Sequence, residues 1–219
     1  MFPTPPNAHS RIALWIKLVY TGFVCVLVPY YWSCYGPTNF LYYCDVALLM
    51  TVVALWREDA LWASMAAVGI LLPQTLWIAD LLLQFVGLHV TGMTAYMFQS
   101  SIPLFTRALS LFHFWLPLLL VWIVWRLGYD RRALWAWTAL AWLLMLVCYF
   151  LMPAPPAPPD SPNLPVNINY VYGLSDAGPQ TWMPPLAYLG LLIVGLPIGV
   201  FLPTHLILRK LFRTAGRRE

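Results

Sequence analysis

Long apolar stretches separated by short polar segments make up most of the chain. Six of them approach the roughly 20 residues that a helix needs to cross the hydrocarbon core of a bilayer. They cover about 12–32, 39–56, 60–86, 108–125, 133–152 and 185–208. Because backbone amides in lipid must be hydrogen-bonded within their own segment, these continuous runs indicate helices. We predict an all-α, polytopic membrane protein with about six transmembrane helices in a single domain over 12–208.

The composition excludes several other classes of protein. Hydrophobic residues make up 61% of the 219 residues and charged residues only 9%, whereas soluble domains contain about 25% charged residues. A soluble domain, a disordered chain and a secreted disulfide scaffold are therefore excluded. The four cysteines form no CxxC pair, so neither a zinc ribbon nor a redox motif is predicted.

The basic residues indicate how the helices are oriented. With six spans, eleven of the twelve lysines and arginines would lie on the side that holds both termini, and Arg107 alone would lie on the other. By the positive-inside rule, both termini are expected in the cytoplasm. A tail over 1–11 and a basic tail over 209–219 are then cytoplasmic. An uncleaved first helix is expected because the first span is too long for a signal-peptide core. The outer connections would be 33–38, 87–107 and the proline-rich 153–184.

This placement of charge also bears on partners and location. The net charge of +4 is concentrated at helix ends, where it sets orientation, so nucleic acid is not an expected partner. Membrane lipids are the expected partners, and a homo-oligomer or another membrane protein is possible. We expect a multi-pass protein of the bacterial cytoplasmic (inner) membrane.

Ionisable and thiol side chains occur at one depth in three of the predicted helices. With a rise of 1.5 Å per residue, Cys44, Asp45, Asp80 and His113 each lie about 9 Å below the outer boundary. Titratable groups are costly inside a membrane, and such residues are candidates for a functional site. We therefore expect these side chains to meet in a shared site in the outer half of the bilayer.

Further polar residues accompany this group. Ser110 and His113 share one stripe of the fourth predicted helix, and Asp80 and Gln84 share one stripe of the third, so both stripes are expected to face the bundle interior. A hydrogen-bonded cluster that only fixes helix packing is the alternative. Arg107 could hold a phosphate headgroup, or it could serve only as an anchor at the membrane surface.

The same residues suggest several kinds of chemistry. A thiol becomes a nucleophile when a base takes its proton and a third group orients that base. Cys44, His113 and either Asp80 or Asp45 could fill these roles. Alternatively, Asp45 and His113 could act without Cys44 as a base pair on lipid-borne water or hydroxyl. A metal site of His113, Asp45 and Asp80 is a third, less favoured alternative; no metal and no cofactor is predicted.

Four segments carry a resemblance to a known family. They read NFLYYCDVALLM around Cys44, RALSLFHFWLPLLL around His113, and then NINYVYG and QTWMPPLAYL. This order, over about 39–185, resembles the YwaF-type bacterial integral membrane proteins, whose eukaryotic relatives include a transmembrane acyltransferase of ether phospholipids. It is also similar to a broader set of bacterial membrane-associated proteins. The resemblance implies that Cys44 and His113 are a catalytic pair and that Asn169 and Tyr170 belong to the site.

Together these arguments predict a lipid-modifying membrane enzyme of the acyltransferase or hydrolase type. Its expected substrate-binding residues are Arg107, Ser110, Gln84, Asn169 and Tyr170. The alternative is a non-enzymatic membrane protein, either an accessory subunit or a small transporter, whose polar cluster is structural or binds a ligand.

Overall fold

The computed structural model describes residues 12–88 and 91–212, and every regular element in these ranges is helical. The helices are α1 (Leu14–Tyr35), α2 (Tyr43–Arg57), α3 (Ala60–Phe85), α4 (Leu104–Ser110), α5 (Phe112–Leu127), α6 (Ala133–Leu151), α7 (Pro185–Leu196) and α8 (Leu202–Leu211). A π-helical turn, Pro197–Phe201, joins α7 to α8. The predicted tail 1–11 and residues 213–219 of the predicted basic tail lie outside the described residues.

Five helical segments of the described chain are long and apolar enough to cross a membrane. They are Leu14–Tyr35, Ala60–Phe85, Leu104–Leu127, Ala133–Leu151 and Pro185–Leu211. The prediction of an all-α polytopic membrane protein is confirmed. The remaining predicted span corresponds to α2, which has only 15 residues. It is about 22 Å long, against about 30 Å of hydrocarbon, so a count of six spans stays a prediction.

Helix α2 begins later than its apolar pattern suggested. The expected start near Asn39 falls instead in a short 3-10 helix, Pro37–Leu41, and the extended backbone of Tyr42 separates this turn from α2. Cys44 and Asp45 consequently lie in the first turn of α2, rather than several residues inside a longer helix.

The connections divide between two ends of the bundle. Segments 36–42, 91–103 and 152–184 lie at one end, which we call the loop-rich end. The short connections at 58–59 and 128–132 lie at the other, which we call the short-turn end. Helix α3 is central and contacts α2, α5, α6 and α8.

Small residues allow the central helices to approach closely. Ala63, Ala66 and Ala67 of α3 are fully buried, as is typical where helices pack in a membrane. The closest approach is at Gly69, where a Cβ atom would lie 1.9 Å from Cε2 of the fully buried Trp137 on α6. The position of α6 against α3 therefore depends on the absence of a side chain at Gly69.

The long segment 152–184 folds back onto the bundle. The Asn167 side chain organises its central turn by donating to the carbonyl oxygens of Gly173 and Ser175 and accepting from the backbone N–H of Tyr172. Ile168 and Val171 are buried beside Cys148 of α6. The loop is thus packed on the helices, and its central turn lies close to the start of α2.

Candidate functional site

The candidate site begins with two adjacent residues in the first turn of α2. The Cys44 thiol lies 3.7 Å from Oδ2 of Asp45, to which it donates a hydrogen bond. Asp45 is only 3% exposed, and its other carboxyl oxygen, Oδ1, has no hydrogen-bond partner. Buried acceptors without partners are uncommon in native structures and call for a specific explanation. The carboxylate is therefore equipped to accept a further hydrogen bond from a ligand or a water molecule.

Helices α1 and α4 bring two hydroxyl groups toward this carboxylate. The Tyr31 hydroxyl of α1 lies 2.9 Å from the Ser110 hydroxyl of α4, and Asp45 is a charged neighbour that influences Tyr31. Tyr31, Asp45 and Ser110 are all buried. Three helices thus contribute polar atoms to one buried region at the loop-rich end.

Two tyrosines from different loops complete the group. Burial raises the pKa of Tyr96. Hydrogen bonding to the Ser110 and Trp77 side chains lowers this pKa, and the neighbouring Cys44 and Tyr170 raise it further. These four side chains are the neighbours that influence the pKa of the Tyr96 hydroxyl. Burial also raises the pKa of Tyr170, followed by the charges of Asp176 and Cys44. We call this group the Cys44 cluster. It consists of Tyr31, Cys44, Asp45, Tyr96, Ser110 and Tyr170.

Asn169 fastens the long loop to the start of α2. Its Oδ1 accepts from the backbone N–H of Tyr43 at 2.9 Å, and its Nδ2 donates to the carbonyl oxygen of Leu41 at 2.9 Å and lies 3.6 Å from Cys148 Sγ. All the polar atoms of the side chain are thus used within the protein. Of the Asn-Tyr pair expected to bind substrate, Asn169 has a positioning role, whereas Tyr170 is 39% exposed and can be reached.

His113 lies next to the Cys44 cluster. Its Nδ1 lies 2.8 Å from the carbonyl oxygen of Ser110, and its ring stacks on Trp77 at 5.0 Å between ring centroids. A carbonyl oxygen only accepts, so Nδ1 carries the proton and Nε2 of the neutral ring is left as an acceptor. No hydrogen bond within 12–88 and 91–212 joins His113 to Cys44 or Asp45. The connection runs through Ser110, whose carbonyl meets His113 and whose hydroxyl meets Tyr31.

Asp80 and Gln84 have another set of partners. The two carboxyl oxygens of Asp80 accept from the backbone N–H groups of Thr91 and Thr94, at 2.9 and 3.0 Å. The Thr94 hydroxyl lies 2.7 Å from Asp80 and 2.8 Å from Oε1 of Gln84. Both side chains hold the loop that carries Tyr96, and neither makes a direct contact with Cys44. The sequence suggested Asp80 or Asp45 as the partner of the Cys44 thiol, and Asp45 is the one that contacts it.

Arg107 is likewise engaged with the 86–103 segment. Its Nη1 donates to the carbonyl oxygen of Met97 at 3.2 Å, while Nε is buried and has no partner. The guanidinium therefore holds the loop backbone and keeps one donor free. In the described part of the chain, no three His, Cys, Asp or Glu side chains lie close enough to hold a metal ion, and the suggested trio of His113, Asp45 and Asp80 does not assemble.

Sequence reasoning did not single out Tyr31 and Tyr96 as site residues. Tyrosines are common where helices meet the membrane surface, and the chain contains 12 of them. Their frequency makes any one tyrosine uninformative without a tertiary structure. Tyr31 and Ser110 also lie 79 positions apart in the chain, so no local motif links them.

The architecture and this cluster define a polytopic helical membrane protein with a half-buried thiol and a buried carboxylate at the loop-rich end of its bundle. No known protein family matches the chain, and no curated protein and no solved structure matches it either.

Proposed function

We propose that this protein is a lipid-modifying membrane enzyme of the acyltransferase or hydrolase type, and that the Cys44 cluster is its active site. One observation carries the proposal. The half-buried Cys44 thiol donates a hydrogen bond to the buried Asp45 carboxylate, whose other oxygen has no hydrogen-bond partner. A polar site that is buried but reached from a loop-covered end suits a substrate that enters from the membrane surface.

The chemistry would proceed in two balanced steps. Asp45, the base in contact with the thiol, takes the proton of Cys44 while the sulfur attacks the ester carbonyl of a lipid. The ester C–O bond breaks, the proton passes to the departing alkoxide, and a thioester remains on Cys44. In the second step a hydroxyl group or water attacks the thioester, its proton returns to the sulfur, and the acyl group leaves on the acceptor.

His113 has a supporting role in this scheme. Its Nε2 is a free acceptor, and its ring orientation is set by Ser110 and Trp77. It would assist the second step by taking the proton of the incoming hydroxyl or water and passing it on to the departing sulfur. Cys44, His113, Asn169 and Tyr170 are also the residues through which the chain resembles the YwaF-type proteins.

The orientation and location belong to the same proposal. Seven basic residues of the described chain lie at or near the short-turn end, which supports placing that end in the cytoplasm. They are Lys17, Arg57, Arg126, Arg131, Arg132, Arg209 and Lys210. The loop-rich end, with the Cys44 cluster, would then face outward from a bacterial inner membrane. Lipids of the outer leaflet are the proposed substrates.

A second candidate function rests on a specific observation. His113 makes no hydrogen bond to Cys44 or Asp45, and the polar side chains of Asp80 and Asn169 serve to hold loops. This favours a non-enzymatic membrane protein, such as an accessory subunit or small transporter, whose polar cluster is structural or binds a ligand.

Trapping the thioester separates the two candidates. The purified full chain, in nanodiscs of phosphatidylethanolamine and phosphatidylcholine with alkyne-labelled acyl chains, is expected to acquire label that neutral hydroxylamine removes. Cys44→Ser is expected to abolish this label, and Asp45→Asn to slow its appearance by at least about a hundredfold, at the low end for loss of a general base.

The matched control is Cys34→Ser, at another half-buried cysteine near the loop-rich end, which is expected to label normally. If wild-type protein acquires no hydroxylamine-sensitive label and Cys44→Ala leaves the lipid composition of an expressing strain unchanged, covalent acyl transfer is refuted and the non-enzymatic role is favoured.

A further inference from the structure

A partly open cavity lies at the loop-rich end, between the long loop and the ends of α6 and α7. Its volume is about 230 Å³. Tyr149 of α6, Val171 and Tyr172 of the loop, and Tyr188 of α7 contribute to its walls. None of its lining residues belongs to the Cys44 cluster, so it is a separate site.

The walls are apolar and largely aromatic. The Tyr149 and Tyr172 rings stack at 5.0 Å between centroids, and Pro179 and Pro185 add further apolar surface. The Tyr172 hydroxyl donates to the backbone carbonyl of Tyr149 and is not available to a ligand. Apolar cavities of this kind hold water poorly and accept hydrocarbon.

One polar group in the cavity wall has no partner. Tyr188 is only 4% exposed, and its hydroxyl makes no hydrogen bond to any residue in the part of the chain that the structure describes. The oxygen itself is not fully buried, so a ligand in the cavity can reach it. An apolar wall with one unused hydroxyl fits a ligand that has a hydrocarbon chain and a single acceptor.

The position of the cavity indicates where such a ligand comes from. Tyr149 lies two residues before the end of α6 at Leu151, and Pro185 is the first residue of α7. Both helices belong to membrane-length segments, so the cavity lies where they leave the bilayer. The carbonyl groups of lipid acyl chains occupy this level of a membrane.

We propose that this cavity binds the carbonyl end of a lipid acyl chain, with the Tyr188 hydroxyl donating to the carbonyl oxygen. The site is independent of Cys44 chemistry and exists whether or not the thiol is reactive. Val171 and Tyr172 directly follow Asn169 and Tyr170 in the chain, so an occupied cavity also stabilises the turn that brings Tyr170 to the Cys44 cluster.

Photo-crosslinking tests the proposal on the full chain in nanodiscs. Two probes carry a diazirine near the carbonyl of the acyl chain: a free fatty acid, and phosphatidylcholine esterified with the same acid. Labelled peptides are expected to contain the cavity residues. Labelling by the ester probe alone identifies a membrane phospholipid as the ligand, and labelling by the acid alone identifies a free fatty acid.

Two alanines of the same loop provide a matched pair of variants. Ala154 lines the cavity and is itself exposed, so Ala154→Trp fills the space without disturbing the core and is expected to reduce labelling at least fivefold. Ala177, also exposed in this loop, does not line the cavity, and Ala177→Trp is expected to label as wild type.

A third variant tests the hydrogen bond. Tyr188→Phe keeps the cavity shape, and about fivefold more unlabelled fatty acid or phospholipid should be needed to compete with the probe, as expected for loss of one neutral hydrogen bond. Labelling spread evenly over lipid-facing helices and unaffected by Ala154→Trp would overturn the site. Unchanged competition in Tyr188→Phe would overturn the assigned role of the hydroxyl.

Discussion

Asn169 supplies the N-terminal cap of a helix that begins 126 residues earlier in the chain, because its Oδ1 accepts from the backbone N–H of Tyr43 at 2.9 Å. The residue in the capping position, Tyr42, makes no such side-chain bond, and the first N–H groups of a helix otherwise lack partners. The bond sets the start of α2 and so the position of Cys44. One amide thus joins the long loop to the candidate site.

Removing the side chain of Asn169 should destabilise the start of α2 and the loop that packs against it. Asn169→Ala is expected to lower the free energy of unfolding by about 1–2 kcal/mol, as for other lost helix caps. It should also speed hydrogen exchange in the first turn of α2. Thermal unfolding and hydrogen-exchange mass spectrometry measure the two effects. Asn163→Ala, at an exposed asparagine of the same loop, is the control, and unchanged exchange in the Asn169 variant would contradict the capping role.

The contact of α3 with α6 should not tolerate a side chain at Gly69. A Cβ atom there would lie 1.9 Å from the Trp137 ring, and overpacking of this kind costs about 1–3 kcal/mol. Gly69→Ala is therefore expected to lower the thermal unfolding midpoint in detergent, whereas Gly190→Ala, with open space around the glycine, should not. The double variant Gly69→Ala/Trp137→Phe should recover part of the loss, and absence of any recovery would argue against the clash.

Two ion pairs between described residues lie at the short-turn end, and they should differ in their contribution to stability. Lys17 and Glu58 are 2.7 Å apart, with side chains only 10% and 20% exposed. Glu58→Gln leaves a buried ammonium group without its charged partner and is expected to cost about 3 kcal/mol. Arg132→Gln breaks a pair in which the arginine is 76% exposed and should have little effect. Equal changes in the two unfolding midpoints would contradict this ranking.

The connection between α5 and α6 should lose stability in acid. The hydrogen bonds from Arg132 hold the pKa of Asp130 below its usual range, and partial burial opposes them. Because the folded-state pKa is depressed, the carboxylate stabilises the fold above its unfolded pKa of about 3.9. This stabilisation is lost as the pH falls through the folded-state value.

The comparison of wild type with Asp130→Asn measures this contribution. The difference in unfolding midpoint is expected to be constant above about pH 5 and to shrink on further acidification. A difference that grows as the pH falls would show that the carboxylate acts in the opposite sense.

Much of the fold could be predicted because lipid imposes a simple rule on the chain. Helix α3 was expected at 60–86 and spans Ala60–Phe85, since a continuous apolar run must form its hydrogen bonds internally. The start of α2 could not be predicted in this way. It depends on a hydrogen bond from the Tyr43 backbone N–H to Asn169, which lies in a distant loop. The hydrophobic periodicity around α2 gives no information about this contact.

The residues of the candidate site could be predicted only in part from the sequence. Equal depth grouped Asp45 with Asp80, but depth along a helix says nothing about which neighbours a side chain meets. Asp80 turns out to bind Thr91 and Thr94, in a loop only 11 to 14 residues further along the chain. Asp45 contacts Cys44 and lies near Tyr31 of another helix.

The sequence by itself determined that this is a helical membrane protein and where most of its apolar segments lie, because burial in lipid is decided segment by segment. Only the tertiary structure decided which polar groups meet. The contacts of Tyr31 with Ser110 and of Asn169 with Tyr43 span 79 and 126 positions. Such pairings are set by how the helices pack together, and that packing depends on the whole bundle rather than on any one segment.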